Sequence, residues 1–261
     1  MEKIINILIL LVISAVTLYG QADFRVIKVN GTILIKTRGI SLETGTTFNE
    51  KEDLLFRSED ATAAVINSQR GRLVITSKSH DLASAKSNYL PSMYNISSRA
   101  GSLSKSSDLS AHFSGKYVVL DKHGVKIDKG AFPMDRDHFF FLRYTYKGEE
   151  INKKLSGSND TLIIDKSSLF TVDGNPIPYA DNTLIKLFYR KGKESVFISE
   201  FNLIFPDMIQ LGKEAEIILN ETSGKPAEDK IKEVGSYITE FYGKVQADNL
   251  SAWMKTRFGI K

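Results

Sequence analysis

Cysteine is absent from the chain, tryptophan occurs once, and there are only four histidines and six prolines among 261 residues. Without cysteine there can be no disulfide, thiol nucleophile, thiolate zinc site or iron–sulfur cluster, and no lipid-attached N-terminus through a lipobox cysteine. The histidines, His80, His112, His123 and His138, fall in no HExxH or HxH spacing, so the sequence directs no two of them to one metal. Asp121, His123 and Asp128 could face one another across a hairpin, which would be a weak metal site at best. A G-x-S-x-G nucleophile elbow, a phosphate-binding glycine loop and a dinucleotide fingerprint are also missing. No catalytic, cofactor-binding or metal-binding residue is therefore expected, and no cofactor. Nor does one sign of charge dominate: 35 basic and 31 acidic residues leave a formal charge of +4, with acids and bases interspersed. The basic stripe with interleaved aromatics that marks a nucleic-acid binder is not found, so no nucleic-acid partner is expected.

The chain has one long apolar run, Ile4 to Val16, interrupted only by Asn6 and Ser14 and followed by Thr17, Gly20, Gln21 and Ala22. That layout predicts a secretory signal peptide over residues 1–20. The run is shorter than the ~20 residues of a spanning helix, and no later segment approaches that length, so no spanning helix is expected in the mature chain. Export without cysteine points to the periplasm or the extracellular face of a bacterial cell envelope.

Beyond the leader the pattern is one of short alternating strands and turns. Residues 24–78 run FRVIKVN, TILIKT, ISLE, LLFR, TAAVIN and RLVITSK, with turns at Asn30-Gly31, Arg38-Gly39, Gly45, Ser58 to Asp60 and Gln69-Arg70-Gly71. Asn30-Gly31 predicts a two-residue type I′ hairpin joining the first two strands, because both of its central residues need positive φ. The spacing predicts a small β barrel or sandwich. The order of Val29, Gly31, Leu42, Gly45, Asp53, Leu55, Ser58, Ala63, Val65, Gly71 and Leu73 resembles the FecR-like periplasmic domain. That resemblance covers about the first quarter of the mature chain and implies a role in envelope signalling. No anti-sigma helical region accompanies it.

Residues 79–115 are rich in Ser and read as a linker, with one marginal helix near Leu82 to Asn88. From 116 to 222 a second, antiparallel β-sandwich is expected. Its strands are YVVLD, VKID, HFFFLRYTY, TLIIDK, LFTVDG, TLIKLFYRKG, ESVFISEFNLIF and EAEIILNE, with turns at Lys122-His123-Gly124, Lys191-Gly192-Lys193 and Leu211-Gly212-Lys213. Residues 223–261 form a helical tail, an α-helical hairpin whose first helix carries Ile231, Val234, Ile238, Phe241 and Val245 at three- and four-residue steps. Asp248 or Asn249 should cap its second helix, which carries Trp253. The fold class is thus mainly β with a helical C-terminus.

Two groups of side chains stand out. Asp135, Asp137 and His138 make the densest polar cluster; a cation or acid–base role is conceivable, but a charged turn before a buried strand explains them. Ile231, Val234, Ile238, Phe241 and Trp253 either dock the tail on the β domain, the favoured reading, or form a partner interface. Five N-x-[ST] triplets, at Asn30, Asn95, Asn159, Asn220 and Asn249, reflect composition rather than glycosylation. The expected function is a non-enzymatic recognition, scaffold or signalling-adaptor module whose partner is a protein or an envelope polysaccharide. The alternatives are a carbohydrate- or peptidoglycan-active β-sandwich enzyme and a subunit of an envelope assembly.

Overall fold

A computed structural model describes residues 23–80, 101–172, 174–178 and 183–260. The leader and the helix expected near Leu82 lie outside the described residues. The chain is mainly β with a helical C-terminal segment, as its patterning predicts. No helix among the described residues is long and apolar enough to cross a membrane. The described residues divide into two compact units, the first holding 23–80 with Glu216–Ser223 and the second the remainder.

The first unit begins with β1 (Phe24–Asn30), β2 (Ile33–Ile35), β3 (Ile40–Ser41), β4 (Thr47–Phe48), β5 (Leu54–Phe56), β6 (Thr62–Asn67) and β7 (Gly71–Thr76). They form two antiparallel sheets, β4-β1-β6-β7 and β3-β2-β5, and no closed barrel. Strand alternation places Phe24, Val26, Ile33, Ile35, Phe48, Leu54, Ala63, Val65, Leu73 and Ile75 in one buried cluster. The hairpin expected at Asn30-Gly31 does not form. β1 pairs with β4 and β6, whereas β2 pairs with β3 and β5, so this turn carries the chain from one sheet to the other. Gly31 alone has positive φ, +75°, so the type I′ geometry is not met. Glycine is still required, because a Cβ there would lie 3.0 Å from the Ala61 Cβ.

In the second unit a six-stranded sheet has the order β11-β10-β16-β17-β8-β18. Its strands are β8 (Lys116–Val118), β10 (His138–Tyr146), β11 (Glu149–Lys154), β16 (Thr183–Lys191), β17 (Glu194–Ile204) and β18 (Lys244–Val245). A three-stranded sheet is built from β9 (Lys122–Lys126), β12 (Ser156–Ser158) and β13 (Thr161–Asp165), and β14 (Thr171–Val172) pairs with β15 (Asn175–Pro176). The sandwich is not wholly antiparallel, since β8 runs parallel to both β17 and β18. One apolar core joins Val125, Leu162 and Ile164 of the small sheet to Phe140, Leu142, Leu187, Phe201 and Leu203 of the large one.

Three expectations are corrected here. The end of the proposed linker is structured: helix α1 (Ser106–His112) buries Leu109, Phe113 follows it into the core, and Leu103 bridges to Ile127. Burying those two side chains contributes roughly 2–3 kcal/mol each, enough to hold a short helix of weak intrinsic propensity. Lys122-His123-Gly124 is strand rather than turn, because Asp121 takes the positive φ of 63°. The segment EAEIILNE, with the Gly212 turn before it, is helix. After the short α2 (Lys166–Leu169), α3 runs Met208–Glu221, and Asp207 Oδ1 accepts the first-turn N–H groups of Ile209 and Gln210. Leu211, Ala215 and Ile218 are buried at helical spacing, a pattern that outweighs the strand-like look of Ile217-Ile218-Leu219.

The tail forms α4 (Ala227–Phe241) and α5 (Ala247–Phe258), separated by β18. Gln246 is the N-cap of α5, in place of Asp248 or Asn249. Asn249 is buried instead. Its Oδ1 accepts the Leu120 N–H at 2.8 Å, and its Nδ2 donates to the Leu120 and Lys122 carbonyls at 3.2 and 2.9 Å. One amide thus clamps α5 to the β8–β9 connection by matching the donors and acceptors of a bent backbone.

Candidate functional site

The alternation of β10 and β16 gives the large sheet two different faces. Phe140, Leu142 and Tyr144 with Ile185, Leu187 and Tyr189 face the core. The intervening residues, Phe139, Phe141 and Arg143 on β10 and Leu184, Lys186, Phe188 and Arg190 on β16, face outward. Cross-strand register then makes rows. Phe141 lies opposite Lys154 on one side and Phe188 on the other, and Phe188 lies opposite Phe197 of β17. The Phe141 and Phe188 rings stack at 5.2 Å between centroids, and Phe197 meets Phe188 edge-on at 5.6 Å. Phe197 is 53% exposed, well outside the ordinary range for a ring on a sheet.

Cations cover the other rings. The Arg143 guanidinium lies 4.6 Å from the Phe188 centroid and 5.9 Å from that of Phe141, and the Lys154 ammonium lies 4.3 Å from Phe139. Arg143 also donates to Asn152 Oδ1 at 2.8 Å and pairs with Glu150 at 3.1 Å. Arg190 donates to Ser195 Oγ at 3.1 Å. Next to these rows is an open cleft of ≈ 520 Å³ lined by Arg136, Asp137, Phe139, Phe141, Arg143, Asn152, Lys154, Arg190, Gly192 and Ser195. Among the described residues, Arg136, Lys154 and Arg190 have no carboxylate partner, and Asp137 is the one acid lining the cleft.

The polar cluster expected from sequence sits at the rim of this cleft and divides in two. Asp135 Oδ1 accepts the N–H groups of Asp137 and His138 at 2.8 Å, and its carboxylate meets His138 Nδ1 at 3.0 Å. These bonds, led by the Asp137 N–H and followed by His138, hold the Asp135 carboxyl below its usual range. Asp135 and His138 therefore shape the turn into β10, and Asp137 alone of the three lines the cleft. In the tail, Ile231, Val234, Ile238 and Trp253 are buried and Phe241 is half-buried, its ring 5.1 Å from Tyr237. In the folded chain Ile231, Val234, Ile238 and Trp253 pack into the interior, and Phe241 stays partly exposed.

Two polar networks have no signal in the linear spacing. Asp121, His123 and Asp128 do not gather, and among the described residues no group of three potential metal ligands forms. His123 instead stacks on His112 at 6.3 Å with 12° between the rings, and His112 Nε2 shares a hydrogen bond of 2.9 Å with the buried Tyr117 hydroxyl. His123 Nε2 has no hydrogen-bond partner and lies 4.0 Å from Asp248. Burial, then the neighbouring His123 and Lys244 charges, push the His112 imidazole down to about 3. Burial also lowers His123, with Asp248 opposing. The second network centres on the fully buried Glu214 of α3. Its Oε2 accepts the hydroxyls of Tyr237 at 2.7 Å and Tyr242 at 2.6 Å, and its Oε1 accepts Gln210 Nε2 at 3.1 Å. Burial, then the bond to Glu214, raises the Tyr242 hydroxyl far above its ordinary range, so it stays a donor. Each network depends on how separate elements pack, α1 against β8 and β9 in one and α3 against α4 in the other, which is why spacing could not reveal them.

Comparison with family models and with curated proteins found no match to this chain.

Proposed function

We propose that this protein is a non-enzymatic recognition module of the bacterial cell envelope, exported by its leader, whose binding surface is the outward face of β10, β11, β16 and β17. The observation that carries this reading is a cleft lined by three cations without carboxylate partners, next to a strand row that ends in the exposed ring of Phe197. Solvent-exposed rings beside unpaired charge are what a binding surface presents and what a merely solvated face lacks. Glycoside hydrolysis would use a pair of carboxylates across the cleft, and among the described residues Asp137 is the one acid lining it. The first unit, with its FecR-like order of turn glycines and core apolars, would serve as the adaptor.

Binding of fractionated envelope polymer to the intact protein tests this. The wild type should retain polymer, and Phe197→Ser combined with Arg190→Gln should lose most of that retention without a change in the far-UV spectrum. Equal retention by the variant would move the binding surface elsewhere. Steady hydrolysis of the polymer by the wild type would restore the enzyme reading.

A further inference from the structure

The chemistry of the outward face narrows its ligand. Arg143 is neutralised by Glu150, but Arg136, Lys154 and Arg190 are not, and Asp137 offsets only one of them. The cleft therefore carries an excess of positive charge that a neutral ligand would leave uncompensated. The rings do not act mainly as stacking platforms. Arg143 lies over Phe188 at 4.6 Å and Lys154 over Phe139 at 4.3 Å, so those aromatic faces hold cations extended above the sheet. Ordering these long side chains beforehand removes part of the entropy cost of fixing an anion. Phe197 is left as a ring with an open face. A single-stranded nucleic acid stacks successive bases on several free aromatic faces along a basic groove, whereas here cations already cover Phe139 and Phe188 and one free ring remains. One stacking ring beside a group of cations fits a sugar polymer with an acid group on its residues.

We infer that the ligand of this face is an acidic polysaccharide, a chain of uronate-type sugars whose carboxylates seat on Arg136, Lys154 and Arg190 while one sugar ring packs on Phe197. This rests on the reading of that face as the recognition surface. Arginine suits the role because its planar fork can accept a carboxylate through two parallel N–H···O bonds. Asn152 and Ser195 line the same cleft and can exchange hydrogen bonds with sugar hydroxyls.

Titration of the intact protein with sodium alginate, dextran and poly(dT) tests the assignment. Alginate should bind, and its affinity should fall steeply as salt is raised, because the contacts are exposed charges. Dextran should not bind measurably, and poly(dT) should bind more weakly than alginate. Arg136→Gln/Lys154→Gln/Arg190→Gln should weaken alginate by roughly tenfold for each charge removed, and Phe197→Ala by about fivefold. All variants should keep the wild-type circular dichroism and melting temperature, since the altered side chains are outside the core. Failure to bind alginate, equal binding of dextran, or wild-type affinity in the triple variant overturns the acidic-glycan assignment. Tighter binding of poly(dT) replaces it with a nucleic acid. If envelope polymer is still lost in the Phe197 and Arg190 variant while alginate never binds, the face remains the recognition surface and only the ligand class is wrong.

Discussion

The two units use their polar residues differently. In the first, charged side chains pair near the surface, Arg38 with Glu52 at 2.8 Å and Arg70 with Glu50 at 2.9 Å, while Asn67 and Arg72 are buried beside a core of alternating apolars. In the second, polar groups are buried between elements, as with Glu214, His123 and Asn249, and cations stand beside rings on an open sheet face. Surface pairs are worth little, whereas a buried group that loses its partner carries the full cost of desolvation. Exposed pairs such as Arg38–Glu52 should therefore tolerate substitution, and buried polar groups such as Glu214 should not. Function follows the outer face of the second unit, where, among the described residues, unpaired charge and an exposed ring occur together.

The largest expected effect is on pH. The His112 imidazole is held near 3 in the folded chain against an ordinary 6.5, so its folded form resists protonation. A base with a depressed folded pKa contributes its full stability above pH 6.5 and loses it progressively as pH falls toward 3. The drop is equivalent to as much as about 5 kcal/mol at ~1.36 kcal/mol per unit, an upper bound for a group near the surface of the core. Denaturant titrations of the wild type between those limits should show stability falling with pH. His112→Gln, which can keep a bond to Tyr117, should flatten the dependence, and an unchanged slope in that variant would assign the pH effect elsewhere.

Next comes Glu214→Ala, which leaves two buried tyrosine hydroxyls without their acceptor. A loss of roughly 3–5 kcal/mol is expected by chemical denaturation, and a loss under about 1 kcal/mol would show that the network is not structural. Gly31→Ala is smaller. It forces a side chain into positive φ and against Ala61, and should cost about 1–3 kcal/mol. Smallest is Arg38→Ala, which removes an exposed pair and should shift stability by less than ~1 kcal/mol. If Arg38→Ala matched Glu214→Ala, the contrast between exposed pairs and buried networks would fail.

Much of the architecture was legible along the chain. Val26, Ile33, Ala63, Val65 and Leu73 alternate because one face of each strand meets the core, and Ile231, Val234 and Ile238 recur at helical spacing for the same reason. The partners of those faces were not legible. Asn30-Gly31 specifies a turn, but whether the next strand folds back or crosses to a second sheet depends on which pairing buries more surface, and that is a property of the whole unit. The helix over Met208–Glu221 had a readable start at Asp207 and a readable stripe in Leu211, Ala215 and Ile218, masked by the β-branched pair beside it. For the candidate site, the strand HFFFLRYTY announced a face too aromatic to be solvated on both sides, and the Asp135–His138 cluster marked one end of it.

By itself, then, the sequence determined most of the strand and helix periodicities, the lack of thiol chemistry and the near-balanced charge, since each depends on residue type and local spacing. Tertiary structure alone decided that Lys154, Phe141, Phe188 and Phe197 form one row. It also brought His112 onto His123 and gave Glu214 two tyrosine donors. These contacts join different strands and helices, and their geometry exists only once the register of the sheet and the docking of the helices have been set by burial of the core.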